Sequence, residues 1–291
     1  MRALYGSYSG NLYQVRRADN TTKDIPVLSA GGFADSSVQD TFCSGSTCTI
    51  SIIYDQSSKG NHLTSAPAGG AVKTADKEAS ATALKVSVSG HIVYGVHIPG
   101  GTGYRNDKTS GIAMGDNPET EYMVTSGTYS NGGCCFDYGN AETDNTDDRA
   151  GTMEAVYFGT NSYWGKGTGS GPWVMGDLED GLWAGATTPN NSNTPLTTAY
   201  VTAMVKGDTA NHWAVKGGNA QSGVLTTMWD GARPKGYSPM KKQGAIILGI
   251  GGDNSNSGVG NFFEGVMTTG FASDANDSAV QTNIVAAGYG K

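Results

Sequence analysis

Short runs of β-type composition recur along this chain between Gly, Asn and Asp turn signals, and almost no stretch carries the 3.6-residue periodicity of an amphipathic helix. LYQVRR, CTISIIYD, HIVYGVHI, EYMVTSGTY, MEAVYFG, WVMGDLE, YVTAMVKGD, HWAVKGGN, GAIILGIGG and NFFEGVMTTGF have the length and character of strands. Their density predicts an all-β fold, a β-sandwich of two sheets packed face to face. Two segments read as helices instead: SSVQDTFC, and ANDSAVQTNIVAAG with a start at Asp277 and Ser278. At 291 residues the chain can bury a sizeable core, and no linker, heptad or solenoid repeat divides it.

Composition narrows the class further. The 44 glycines and a charged fraction of only 15% suit a turn-rich protein of secreted type. Net charge is −7, and no basic cluster is denser than VRR at 15–17 or PMKKQ at 239–243, which argues against nucleic acid or an anionic membrane as a partner. The longest apolar run, GAIILGI, falls far short of the roughly 18 residues of a membrane helix. MRALYGSYSG has no charged-then-apolar leader, so either a signal has been removed or the protein stays in its cell. Sequons at Asn20, Asn190 and Asn276 permit glycosylation, though they arise readily in a chain so rich in Asn, Ser and Thr.

The four cysteines allow three pairings. A Cys43–Cys48 bridge needs only the tight loop CSGSTC, and it leaves the adjacent Cys134 and Cys135 either free or bonded to each other. A bridge between neighbours is strained, because Cα atoms across a trans peptide sit about 3.8 Å apart, below the usual disulfide range. There is no CxxC or HxxxH spacing, and His62, His91, His97 and His212 are scattered, so neither metal nor cofactor is expected.

The segment GPWVMGDLEDGLWAG, residues 171–185, crowds Asp177, Glu179 and Asp180 between Trp173 and Trp183. Read as a strand, it puts Trp173, Met175, Asp177 and Glu179 on one face. A solvated strand edge can look like this; so can a sugar site, where aromatic faces stack on rings and carboxylates do chemistry or bind hydroxyls. Glycoside chemistry needs a second carboxylate, and Asp253 is the best candidate. The buried-looking AIILGI runs into Gly251 and Gly252 just before it, and glycines there let another group approach the backbone. GGDNS is equally an ordinary turn, held by side-chain bonds to the backbone. Glu264 in FFEGVM competes for the role, but its apolar neighbours suggest a sheet position.

The pieces ALYGSYSGNLYQVRR, IYDQSSKGNHLT, GTGYRNDKTSG, CCFDYGNAET, YWGKGTGSGPWVMGDLEDGLW and GIGGDNSNSGVGNFFEGVMTTGF together resemble the catalytic domain of the α-L-arabinofuranosidase B enzymes, glycoside hydrolase family 54. The resemblance runs from about residue 2 to the C-terminus. It implies a concanavalin A-like sandwich and a retaining, exo-acting, extracellular enzyme that removes terminal arabinofuranosyl groups from arabinan or arabinoxylan side chains. By the same resemblance Glu179 is the nucleophile and Asp253 the general acid/base. Cys134–Cys135 becomes a vicinal disulfide lying against the sugar, Trp164 an aromatic platform, and Asp177 and the Gly252 backbone hydrogen-bonding partners of the substrate.

Three departures accompany it. The family pattern has Asn after the nucleophile where this chain has Asp180, whose charge is expected to raise the Glu179 pKa or change which sugar fits. The family's N-terminal segment with its extra cysteine pair and its C-terminal arabinose-binding β-trefoil have no counterpart in residues 1–291, so a single monomeric catalytic domain with weaker polymer binding is expected. Two other readings stay open: a lectin-like sandwich that binds sugar without chemistry, and a glycosidase for a galactofuranoside or a xyloside.

Overall fold

Trp213 shows how the core is built. It lies on the strand His212–Asn219, and its ring packs against Gly176 in the facing sheet, where a Cβ would come within 2.7 Å of the ring. Around this contact Val156, Phe158 and Val174 from one sheet and Val205 and Val215 from the other join one buried apolar cluster. Burying such side chains contributes roughly 1.5–3 kcal/mol each, and the shared interior fixes the two sheets face to face.

The computed structural model describes residues 1–291 and contains strands with only two helices. One sheet has seven strands in the spatial order Leu182–Trp183, Trp173–Asp177, Glu154–Gly159, Asp137–Ala141, Ala245–Leu248, Tyr104–Asn106 and Thr64–Ser65. The other has six, Thr226–Ala232, His212–Asn219, Val201–Asp208, Glu119–Thr125, Gly260–Thr269 and Val96–Ile98. Pairing within both is antiparallel. A three-stranded sheet (Thr22–Pro26, Asn11–Arg17, Cys48–Ile53) and the hairpin Lys85–Val88/His91–Tyr94 complete the fold. The expected β-sandwich is what the chain forms.

Several boundaries differ from the sequence reading. HIVYGVHI is two strands, because Gly95 separates a hairpin arm from an arm of the six-stranded sheet. WVMGDLE ends as a strand at Asp177, so Glu179 does not belong to the alternation that includes Trp173 and Met175. The C-terminal helix, Asp274–Ala287, begins three residues before Asp277, with Ser273 as its N-cap accepting from the Asn276 N–H. Asp277 in its first turn instead buries its carboxylate, which accepts from the ammonium groups of Lys206 and Lys216, each at 2.6 Å. SSVQDTFC is helical as expected, capped by Asp35, and Cys43 is bonded to Cys48.

Charges are also buried between the sheets. The Lys242 ammonium lies 3.0 Å from Glu119 and 3.0 Å from Glu154, and Arg233 donates to both Glu154 oxygens at 2.9 and 3.1 Å. Glu264 occupies a sheet position, as its neighbours suggest, and is paired with Arg2 at 2.6 Å. No helix is long and apolar enough to cross a membrane.

Candidate active site

In the seven-stranded sheet, residues that alternate with the core-facing Val156 and Val174 point to the opposite side. Asp137, Tyr157 and Met175 are neighbours across three strands there, and Asp177 lies one step along, opposite Ala155. Trp173, Met175, Tyr157 and Cys135 form a separate apolar cluster on this side. Asp177 therefore sits at the end of a strand with an apolar floor beside it.

Beyond Asp177 the backbone turns sharply. Glu179 and Asp180 adopt φ of +60° and +55° in succession, a left-handed conformation that costs non-glycine residues of order 1–3 kcal/mol each. Leu178 anchors the turn by packing with Tyr237 and Met240. The bend returns Glu179 to its neighbour, and its N–H donates to Asp177 Oδ1 at 3.1 Å. Asp177 and Glu179 are thus brought together through a turn rather than through strand alternation. Asp180 points away, exposed, accepting from the Ala150 N–H at 3.1 Å.

Asp253 enters from the loop after Ala245–Leu248. It serves as a turn-former, its Oδ1 accepting the Ser255 N–H at 2.9 Å, and it is only partly buried. The same loop is stitched to the adjacent cysteines: the Cys135 N–H donates to Ser255 O at 3.1 Å, and Ser255 Oγ to Cys134 Sγ at 3.5 Å. Cys134 and Cys135 are bonded to each other across a cis peptide. Cys135 Sγ lies 3.4 Å from Asp177 Oδ2.

A family model described as "Alpha-L-arabinofuranosidase B, catalytic" matches residues 1–290. The chain belongs to this family. It is 56% identical over 296 residues to a probable α-L-arabinofuranosidase B of Aspergillus terreus, covering 99% of this chain and 58% of that protein. A crystal structure of an arabinofuranosidase complexed with arabinofuranosyl-α-1,2-xylobiose superposes with a TM-score of 0.97 at 53% identity, covering 99% of this chain and 61% of that one. A glutamate-to-glutamine variant of a glycoside hydrolase family 54 α-L-arabinofuranosidase, soaked with 4-nitrophenyl α-L-arabinofuranoside, gives 0.96 at 53% identity with the same coverage. The chain spans less than two thirds of the length of these relatives.

The residues nominated by the resemblance to this arabinofuranosidase family largely converge. Gly252 joins Glu179 to the Asp253 loop: a Cβ there would stand 3.0 Å from Glu179 Oε2 and collide with Glu142 Oε2. Trp164 is partly exposed, with the more exposed Tyr163 edge-on to it at 5.0 Å between ring centroids. The backbone beside Trp164 is held close to Leu182, the partner of Asp177 across the edge pair.

Three contributors escaped the sequence reading. Arg105, fully buried, donates to Gly252 O at 2.5 Å, to Glu142 O and to Asp107, and so ties the Asp253 loop to the strand carrying Asp137. Asp137 is fully buried beside Asp177, and neither of its carboxylate oxygens has a donor. Glu142 likewise has an unpaired oxygen, Oε2, on the side of Gly252 where Glu179 Oε2 lies. A signal for the acids was present in CCFDYGNAET, where Asp137 and Glu142 flank a short run with turn-like composition.

The electrostatics follow from this crowding. Burial, then the charges of Asp177, Glu142, Asp147 and Asp253, push the Glu179 carboxyl up to about 11. Burial raises Asp177 to about 7 and holds Asp137 well above the usual carboxylate range. A carboxyl whose folded pKa is raised stays protonated in the folded chain after the unfolded chain has ionised. Stability is then full below about pH 4.5 and is lost as pH rises from there toward the folded value. Glu179→Gln is therefore expected to raise the melting temperature at pH 7 and leave it nearly unchanged at pH 4. The gain at pH 7 is on the order of 1–3 kcal/mol after allowance for relaxation, and calorimetry at the two pH values checks it.

A second expectation concerns Gly252. Alanine there forces Glu142 and Glu179 apart, so Gly252→Ala should lose about 100-fold or more in kcat, as a misplacement of 1 Å commonly does. Circular dichroism should show the sandwich intact.

Proposed function

We propose that residues 1–291 form a retaining, exo-acting α-L-arabinofuranosidase domain that releases terminal arabinofuranosyl groups from arabinan- or arabinoxylan-type side chains. The observation that carries this reading is the convergence of Asp177, Glu179 and the Gly252–Asp253 loop beside a disulfide, in a chain that superposes on an arabinofuranosidase complexed with arabinofuranosyl-xylobiose. The two sheets share one core, which supports treating the whole span as one catalytic domain.

The reaction is a double displacement. Asp253, protonated, donates to the leaving glycosidic oxygen while Glu179 attacks the anomeric carbon and forms a glycosyl ester. Asp253, now ionised, takes a proton from water, which cleaves the ester from the same face and restores both carboxyls. Asp177, 3.1 Å from the Glu179 N–H, fixes the nucleophile's backbone and offers its other oxygen to a sugar hydroxyl. The Cys134–Cys135 surface and the Trp164 indole supply apolar contact for the ring. The two disulfides favour an oxidising, extracellular compartment.

The test is hydrolysis of 4-nitrophenyl α-L-arabinofuranoside beside the β-D-galactofuranoside and β-D-xyloside, with the first-formed anomer read by proton NMR. Preferred release of α-arabinofuranose supports the proposal. Initial release of the β-anomer overturns retention. Sugar binding without turnover of any substrate would favour the lectin-like reading.

A further inference from the structure

Glu142 lies one residue beyond the strand Asp137–Ala141 and is fully buried. Its Oε1 accepts a 2.5 Å hydrogen bond from Thr152 Oγ1, and its backbone carbonyl accepts from Arg105, so the side chain is held in one orientation. Its Oε2 has no N–H or hydroxyl to pair with. That oxygen is directed at Gly252, on the side where Glu179 Oε2 also lies: a Cβ built there would stand 1.9 Å from the first and 3.0 Å from the second, so the two carboxyls come within about 5 Å of each other. An ionised carboxylate only accepts, so two carboxyls can be hydrogen-bonded only if one carries a proton.

We infer that Glu142 and Glu179 share a single proton, and that Glu142 holds it while Glu179 attacks. This rests on the reading of Glu179 as nucleophile. Two like charges at this separation in a buried site cannot both persist. The groups facing the pair sharpen the point: Asp177, Asp147 and Asp253 are acidic, and the Arg105 guanidinium spends its hydrogen bonds on two carbonyls and on Asp107. A proton on Glu179 would remove its nucleophilicity. A proton on Glu142 Oε2 instead points at one Glu179 oxygen and leaves the other free for the anomeric carbon.

The first step then balances as follows. The bond from the anomeric carbon to the leaving oxygen breaks, the bond to Glu179 forms, the Asp253 proton goes to the leaving oxygen, and the shared proton stays on Glu142. Glu142 is thus a positioning residue, acting on substrate only through Glu179.

The kinetic test compares the pH dependence of kcat/KM on 4-nitrophenyl α-L-arabinofuranoside for the wild type, Glu142→Gln and Glu142→Ala. A neutral acid is a strong donor to its partner's anion, an amide a weaker one, and a methyl none. The acid limb should therefore move up by about one pH unit in Glu142→Gln and further in Glu142→Ala. The glutamine variant should keep its plateau within about tenfold, and the alanine variant should lose about 100-fold at pH 5. An unmoved acid limb in both variants, or equal losses with the limb unmoved, overturns the inference.

The substrate-free test is infrared difference spectroscopy of the resting protein at neutral pH. One protonated-carboxyl band of the wild type should be lost in Glu142→Gln, while those of Asp137 and Glu121, which burial also holds protonated, remain in both. Persistence of that one band in the variant overturns the shared proton whatever the enzyme hydrolyses. Its loss, in a protein that leaves arabinofuranosides intact, upholds the shared proton and overturns the role of Glu179 as nucleophile.

Discussion

Glu179→Gln is expected to cut hydrolysis of 4-nitrophenyl α-L-arabinofuranoside by about 10⁴-fold or more, because the amide cannot form the glycosyl ester and nothing else in the site is placed to do so. Asp253→Asn should lose less on this substrate, about 10²- to 10⁴-fold, since nitrophenolate leaves without full protonation. On an arabinoxylan oligosaccharide, whose leaving sugar needs the proton, the asparagine variant should be nearly inactive. The contrast between the two substrates identifies the acid, and the absence of such contrast in Glu179→Gln identifies the nucleophile. Glu179→Gln with more than a few per cent of wild-type turnover would move that role to Asp177.

Lys242→Met should destabilise the fold by roughly 3–5 kcal/mol, the usual cost of removing one partner from a buried ionic group. Lys242 is fully buried and is the cation nearest Glu119, whereas Glu154 also holds Arg233. Burial already pushes Glu119 up to about 7 with the lysine in place. Taking the lysine away leaves that acid with Asn140 alone as a donor at 3.0 Å. Adding Glu119→Gln to Lys242→Met should restore a substantial part of the loss, because the unpaired charge goes with it. Denaturant titration of both variants and the wild type measures this. Equal stability of all three would mean that the cluster is hydrated.

The strands were legible wherever apolar residues dominate. CTISIIYD, HWAVKGGN and YVTAMVKGD lie where their composition puts them. The strand Asp137–Ala141 was not legible, although it is wholly buried in the middle of a sheet. Its sequence, DYGNA, has the composition of a turn. It serves as a strand because Asp137 faces the acidic cluster and Asn140 hydrogen-bonds Ala113 O at 2.7 Å and the Gly244 N–H at 2.8 Å. Propensity cannot reveal a strand whose side chains answer to chemistry and buried polar partners.

The site divides along a similar line. Asp177 and Glu179 stand out because two tryptophans bracket them, and Asp253 because glycines precede it. Arg105 carries no local mark, since the two carbonyls it binds lie more than thirty positions away in sequence. Asp177 lies on the face that strand alternation from Trp173 and Met175 predicts. Glu179 reaches the site through a left-handed turn, a conformation to which Asp180 is suited but a glutamate is not, so nothing at position 179 announces the bend.

The strand Ala245–Leu248 bonds to Asp137–Ala141 on one side and to Tyr104–Asn106 on the other. Both neighbours leave the ribosome more than a hundred residues before it, so while that stretch is made the nascent sheet has a slot at its centre with two unsatisfied edges. Arg105 waits on one bank of that slot and Glu142 on the other, and the carbonyl of Gly252 that Arg105 clasps arrives only after the late strand has filled it. No growing chain can therefore assemble the acidic cluster early, and while the slot is vacant its edges are open to pairing with another chain. Activity and protection from aggregation should appear together, once residues 245–253 have left the ribosome.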